Sequence, residues 1–176
     1  THTSHQPYVI EVPEVELIGK QGFKRTADGR YAYFNFDRGR TEDLAGEYAY
    51  DVVDALGDGD IPFRTPLCDG DVQTFETAVP LVHRWATNYS HWTEEWLPLL
   101  EGLQHYVAET GVEPTIIVPR APPSCVPESL GLLGYDEGDY VEWPAGRARV
   151  KRMVLPSIRR FYSYAFAYYV RMPSGL

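Results

Sequence analysis

Residues 78–118 read AVPLVHRWATNYSHWTEEWLPLLEGLQHYVAETGVEPTIIV, and the succession of patterns inside this stretch decides the fold. It opens with a short apolar run at 78–82, the signature of a buried strand. Apolar side chains then recur at Trp92, Trp96, Leu99, Leu100, Leu103, Tyr106 and Val107. Spacings of three and four predict an amphipathic helix over 91–109 that stops near Gly111. Pro98 lies inside that helix, has no N–H to donate, and should kink it or split it in two. Residues 115–118 form a second continuous apolar strand. Strand, helix, strand is the beginning of a parallel layer.

Downstream the grammar repeats. Residues 124–133 predict another helix, with Ser124 as its N-cap, Pro127 in its first turn and Gly134 as its stop. Strands are expected at 140–143 and 148–155, the latter alternating Val150, Arg152 and Val154. The whole predicts an α/β fold with buried parallel strands. Upstream the pattern is different. Residues 8–18 alternate apolar and acidic side chains, broken by Pro13, and Gly19 and Gly22 punctuate the residues after them. Ala27-Asp28-Gly29-Arg30 precedes the aromatic run 31–36, an Asp-Gly hairpin signal. Residues 37–76 are rich in Asp, Gly and Pro and read as loops. Asp58-Gly59-Asp60 and Asp69-Gly70-Asp71 lack the twelve-residue continuation of a calcium loop and read as solvated turns. The expected organisation is a β-hairpin and loop region at 1–76, an α/β lobe at 77–157, and an aromatic segment at 158–176.

The totals suit one globular domain. The chain has 176 residues, 44% of them apolar and 14% aromatic. No apolar run reaches the roughly 18 residues that span a bilayer. Residues 1–6 carry no secretory signal pattern, and the absence of an initiator Met is what a trimmed N-terminus, with or without a lost targeting segment, would leave. Asp and Glu number 25 against 16 basic residues, a net charge of −9, and Lys20, Lys24 and Lys151 are the only lysines. This Lys-poor acidity is halophile-like, because self-repulsion of that kind is relieved by salt; an ordinary acidic surface gives the same count. Either way the charge argues against nucleic acid as a partner. Cys68 and Cys125 form no CxxC pair, and two free thiols or one disulfide both fit.

Reactive side chains are densest at 88–98, where a strand gives way to a helix. α/β folds place ligand sites at such junctions. His91 and Glu95 are four apart, so on a helix they share a face. A carboxylate beside an imidazole fixes its tautomer and suits it to general-base work. A surface pair or a helix cap would leave the same spacing.

The run N-Y-S-H-W-x-x-E-W-L-P at 88–98, then T-I-I-V-P, P-E-S-L-G-L-L-G and V-K-R-M-V-L-P in that order, resembles the N-terminal half of glycosyltransferase family 61, in its bacterial and archaeal capsular-polysaccharide branch. The resemblance covers roughly 78–157 well and the rest loosely. It implies the Rossmann-like N-terminal lobe of a two-lobed (GT-B type) enzyme, inverting and without metal or other cofactor, that transfers sugar from a nucleotide sugar to a glycan acceptor. His91 and Glu95 match the catalytic positions, with either as the base, and Asn88, Tyr89 and Trp92 fall at substrate-binding ones. The chain has no G-x-G-x-x-G and ends about where the second lobe begins. The resemblance therefore implies a missing C-terminal lobe that binds the donor, an isolated chain with little activity, and a cytoplasmic protein able to work at the inner membrane face. The rival reading is a non-catalytic carbohydrate-binding or interaction domain of the same fold.

Other residues admit plainer roles. His83 reads as a structural hydrogen-bonding residue and His105 as solvated. A metal on His83, His91 and Glu95 lacks the usual ligand spacing. Asn88-Tyr89-Ser90 fits a glycosylation sequon. Arg147, Arg149, Lys151 and Arg152 suit an anionic ligand or a solvated strand face, and the aromatics at 161–169 suit sugar stacking or packing.

Overall fold

The computed structural model describes residues 7–27, 31–32, 72–144, 146–157, 160–161 and 168–169. The expected turns at 58–60 and 69–71, Cys68, and most of the aromatic segment lie outside these residues. Cys125 is a free thiol.

The fold is α/β. Seven strands form one mixed sheet in the order β3-β2-β1-β7-β4-β5-β6. They are β1 (Val9–Ile18), β2 (Phe23–Thr26), β3 (Tyr31–Ala32), β4 (Gln73–Pro80), β5 (Thr115–Val118), β6 (Tyr140–Glu142) and β7 (Arg147–Pro156). Strands β4, β5, β6 and β7 run parallel, as the strand-helix-strand grammar predicts. Strands β3, β2 and β1 join antiparallel, and the Asp28-Gly29 signal falls between the paired β2 and β3. The N-terminal strands are thus part of the same sheet as the α/β layer. β1 pairs with β7 from Val9↔Pro156 to Ile18↔Arg147 and passes straight through Pro13. Two further strands, β8 (Arg160–Phe161) and β9 (Tyr168–Tyr169), pair antiparallel with each other.

Chemistry explains why β1 prefers β7. Along β1 the acidic side chains alternate with Val15 and Leu17, which are buried. The acids meet the cations of β7: Arg147 and Arg149 reach Glu16, and Arg152 lies 4.0 Å from Glu11. Lys151 pairs across the other side with Glu76 of β4. The concentration of basic residues at 147–152 is a solvated strand face in cross-strand ion pairs.

The predicted helix over 91–109 is divided at Pro98. A short helix α1 (Tyr89–His91) widens into a π turn (Trp92–Trp96), and α2 (Leu99–Thr110) follows. Leu97 N–H donates to the Trp92 carbonyl, five residues back, at 2.8 Å. Proline can neither donate to nor fit against the carbonyl four residues before it, and a wider turn relieves both conflicts. Gly111 ends α2 in the left-handed conformation, φ +68. Helix α3 (Cys125–Leu132) carries Pro127 in its first turn and leads to Gly134 at φ +88. Ser124 stands at its N-terminus but makes no side-chain cap.

The helices cover one face of the sheet. Trp92, Trp96, Leu99 and Leu103, with Val126 and Leu130 of α3, pack on Val79, Ile116, Val118 and Val154. On the other face Val15, Leu17, Phe75, Ala78, Ile117, Trp143 and Val150 form a second core. Here the sheet coils on itself. Trp143, just past β6, donates its indole N–H to the Gly19 carbonyl at 2.7 Å, although four ladders separate β6 from β1. That coiling brings the β1–β2 turn beside the segments leaving β4 and β5. Among the described residues no helix is long and apolar enough to cross a membrane.

Candidate functional site

The 88–98 segment builds the first half of the site. Asn88 is extended, φ −89 and ψ 128, and its side-chain oxygen accepts from the N–H groups of Ser90 at 3.0 Å and His91 at 3.3 Å. This is N-cap chemistry: an exposed carbonyl satisfies donors that the first turn cannot. The Thr93 hydroxyl donates back to Tyr89 O at 2.9 Å. With the turn so fixed, His91 Nδ1 lies 3.0 Å from Glu95 Oε1. Glu95 is only 3% exposed, whereas His91 is partly open. The carboxylate therefore sits behind the ring. With Nδ1–H donating to Glu95, Nε2 is the ring's acceptor. Trp85 stacks on the imidazole, centroids 5.3 Å apart and planes inclined by 21°, and the Arg84 guanidinium lies 4.9 Å from the Trp85 ring centroid.

The second half is a cleft of about 370 Å³. Lys20 and Gln21 enter it from the β1–β2 turn, Val82, His83, Arg84 and Thr87 from the segment after β4, and Pro119 and Arg120 from the segment after β5. Gly22 makes the approach close: at φ +60, a Cβ there would stand 3.3 Å from Val82 Cβ. The lining among the described residues holds Lys20, Arg84 and Arg120 and no carboxylate.

His83 joins the two halves. It is buried, its Nδ1 accepts the Trp85 N–H at 3.1 Å, and its ring centroid lies 5.0 Å from that of Trp96. Burial chiefly, then the nearby charges of Lys24, His91 and Arg84, push its pKa down to about 3. It is a neutral imidazole across the physiological range. Lys24 is only 2% exposed, with Nζ 3.4 Å from the Gly22 carbonyl, and burial lowers its pKa to about 8.

The structure brings His91 and Glu95 together and gives the other expected residues different roles. Asn88 is a cap whose side-chain oxygen serves the backbone. Tyr89 is 68% exposed beside it. Trp92 is a correction: it is fully buried, with its indole N–H on Ser129 Oγ at 2.8 Å, so no face remains to meet a substrate. Its spacing to Trp96 and Leu99 belongs to the core stripe. His105 is exposed on α2. Among the described residues no three His, Cys, Asp or Glu side chains gather as a metal site would need. Sequence reading missed Lys20, Gln21, Arg84 and Arg120. The available signal was scarcity: two of the chain's three lysines, Lys20 and Lys24, flank one Gly-punctuated turn.

No protein-family model, curated protein or solved structure matches the chain.

Proposed function

We propose that this chain is the acceptor-side, Rossmann-like lobe of an inverting glycosyltransferase of the family 61 type, with His91 as the general base. The observation that carries the reading is the His91–Glu95 pair, 3.0 Å apart with Glu95 buried behind the ring. A buried carboxylate cannot reach an acceptor, so the proton goes to His91 Nε2 and Glu95 is a positioning residue. The acceptor oxygen loses its proton to Nε2 and attacks the anomeric carbon. The bond from that carbon to the diphosphate oxygen breaks, and the nucleoside diphosphate leaves from a donor held by a second lobe. The parallel β4-β5-β6 layer, with both crossover helices on one face, supports a lobe of this kind.

Transfer from a panel of nucleotide sugars to oligosaccharide acceptors, read by mass spectrometry in the protein that carries this chain, tests it. His91→Ala should lower turnover ~10²–10⁴-fold, the range for a lost general base. Glu95→Gln should act through His91, so the double variant should be little worse than His91→Ala alone. Normal turnover in His91→Ala removes the assignment.

A second reading is favoured by Trp85 and Tyr89, aromatic side chains 37% and 68% exposed beside the same turn. Exposed rings stack on sugars, and a carbohydrate-binding domain needs no base. Glycan binding that survives His91→Ala but fails in Trp85→Ala, with no transfer by the parent, would select it.

A further inference from the structure

We infer that the cleft between the β1–β2 turn and the segments leaving β4 and β5 binds the phosphoryl group of a small phosphorylated ligand, held by Arg84, Arg120 and Lys20 with the Gln21 amide. The inference does not rest on sugar transfer, since His91 is not among the binding groups.

Four observations converge on it. The chain carries a net charge of −9, yet the described lining of this cleft has three cations and no carboxylate. Three of the chain's 16 basic residues stand where three separate segments meet. Secondly, Gln21 is 6% exposed and its side-chain Oε1 has no hydrogen-bond partner among the described residues. A buried amide oxygen without a partner is unfavourable, and turning the amide about its last bond puts a donor NH₂ in its place beside the cleft. Thirdly, Lys24 is buried just behind the turn, and burial drives its ammonium toward the neutral form. With its pKa lowered only to about 8 the ammonium keeps its charge at neutral pH, and its burial from water strengthens its pull on a dianion nearby. Lastly, the volume of about 370 Å³ is at the lower end of ligand sites, ~300–1,000 Å³, with room for a sugar-sized group beyond the phosphate. Val82 and Pro119 offer that group an apolar wall, and Thr87 a hydroxyl.

A phosphate monoester fits better than a carboxylate. It brings close to two negative charges at neutral pH, which three cations can match, and its three terminal oxygens can each accept from a different segment. Arginine supplies the forked donors that phosphate oxygens take in pairs.

Isothermal titration of this chain with glucose 1-phosphate, inorganic phosphate, glucuronate and glucose decides it. The expected order of affinity is glucose 1-phosphate, then inorganic phosphate, then glucuronate, with glucose silent. Arg84→Gln and Arg120→Gln should each weaken glucose 1-phosphate ~10–100-fold, the value of one charge-assisted hydrogen bond. Arg149→Gln, on the solvated strand face, should leave binding unchanged, and so should His91→Ala. Because Arg84 also lies on Trp85, thermal melts accompany each variant, and the side-chain amide resonances of Gln21 in the parent give a direct second readout. They should move on adding glucose 1-phosphate. Equal affinity for all three anions, binding indifferent to both arginine substitutions, or Gln21 resonances that stay in place would each overturn the inference. Phosphate binding retained in a His91→Ala protein that has lost transfer would separate this site from the proposed base. Transfer without phosphate binding would sink this inference and leave the base standing.

Discussion

The His91–Glu95 turn and the cationic cleft lie side by side, joined through His83, and are built in opposite ways. The first is contiguous: its cap, its base candidate, its carboxylate and its anchoring tryptophans all fall within 88–96. The second is dispersed over residues 20–21, 82–87 and 119–120, and exists only because the sheet coils. In the contiguous half most side chains serve the fold. Asn88 caps, Trp92 and Trp96 are core, and Glu95 is enclosed, leaving His91 and the exposed rings to meet solvent. In the dispersed half the backbone supplies the scaffold and the side chains are left to line a space. A dense motif is conspicuous because it must build its own support.

That contrast can be broken most forcefully at Trp96. Trp96→Ala removes a fully buried indole and should destabilise the fold by ~3–5 kcal/mol in denaturant unfolding. Arg120→Gln, on an exposed segment, should stay within about 0.5 kcal/mol of the parent. Comparable losses at both positions would erase the distinction between a self-supporting motif and a lined space.

His83 tests the join through pH. Its folded pKa, about 3, lies below the ordinary value of 6.5, so between those limits the unfolded chain binds the extra proton. Stability is therefore full above pH 6.5 and is lost as pH falls toward 3, at up to about 1.4 kcal/mol per pH unit. Relative to His83→Gln, the parent should lose ~2 kcal/mol between pH 6.5 and 5. Parallel pH profiles for parent and variant would mean that His83 is solvated and the two halves are not sealed together.

The smallest effect sharpens the account of the motif itself. Asn88→Ala withdraws the acceptor from two backbone donors and should cost ~1 kcal/mol of stability. Asn88→Asp, which keeps the acceptor, should restore it. An Asn88→Ala protein that melts like the parent but has lost glycan binding would return Asn88 to the ligand-binding role that its place in the motif implies.

Much of the architecture was legible because periodicity reports burial. Spacings of three and four placed Trp92, Trp96, Leu99 and Leu103 on the buried stripe, and the continuous apolar run at 115–118 marked an interior strand. The pairing partner of β1 was not legible. Alternating acids along 8–18 say that one face is wet, but the complementary cations stand more than a hundred residues later, at 147–152. Proline at 13 also suggested a break, where the strand continues with Glu14 at φ +50. For the site, local spacing was enough to bring His91 to Glu95. It could not distinguish Trp92 as ligand contact from Trp92 as core, since both need an aromatic at one helical position. Nor could it collect Lys20, Arg84 and Arg120, which no period connects.

The wide turn at Trp92–Trp96 carries a consequence of phase. An α-helix advances by about 100° per residue, so one more residue held within a turn offsets everything before it from everything after. Here the offset lets Tyr89–His91 and Leu99–Thr110 each keep the bearing their surroundings demand, as a slip joint lets two shafts stay aligned to different loads. Deleting Thr93 would close the turn and force a choice between the tryptophan stripe facing the sheet and the imidazole stacking on Trp85. The enclosed indoles hold the larger buried area, so the imidazole would be the one to turn away.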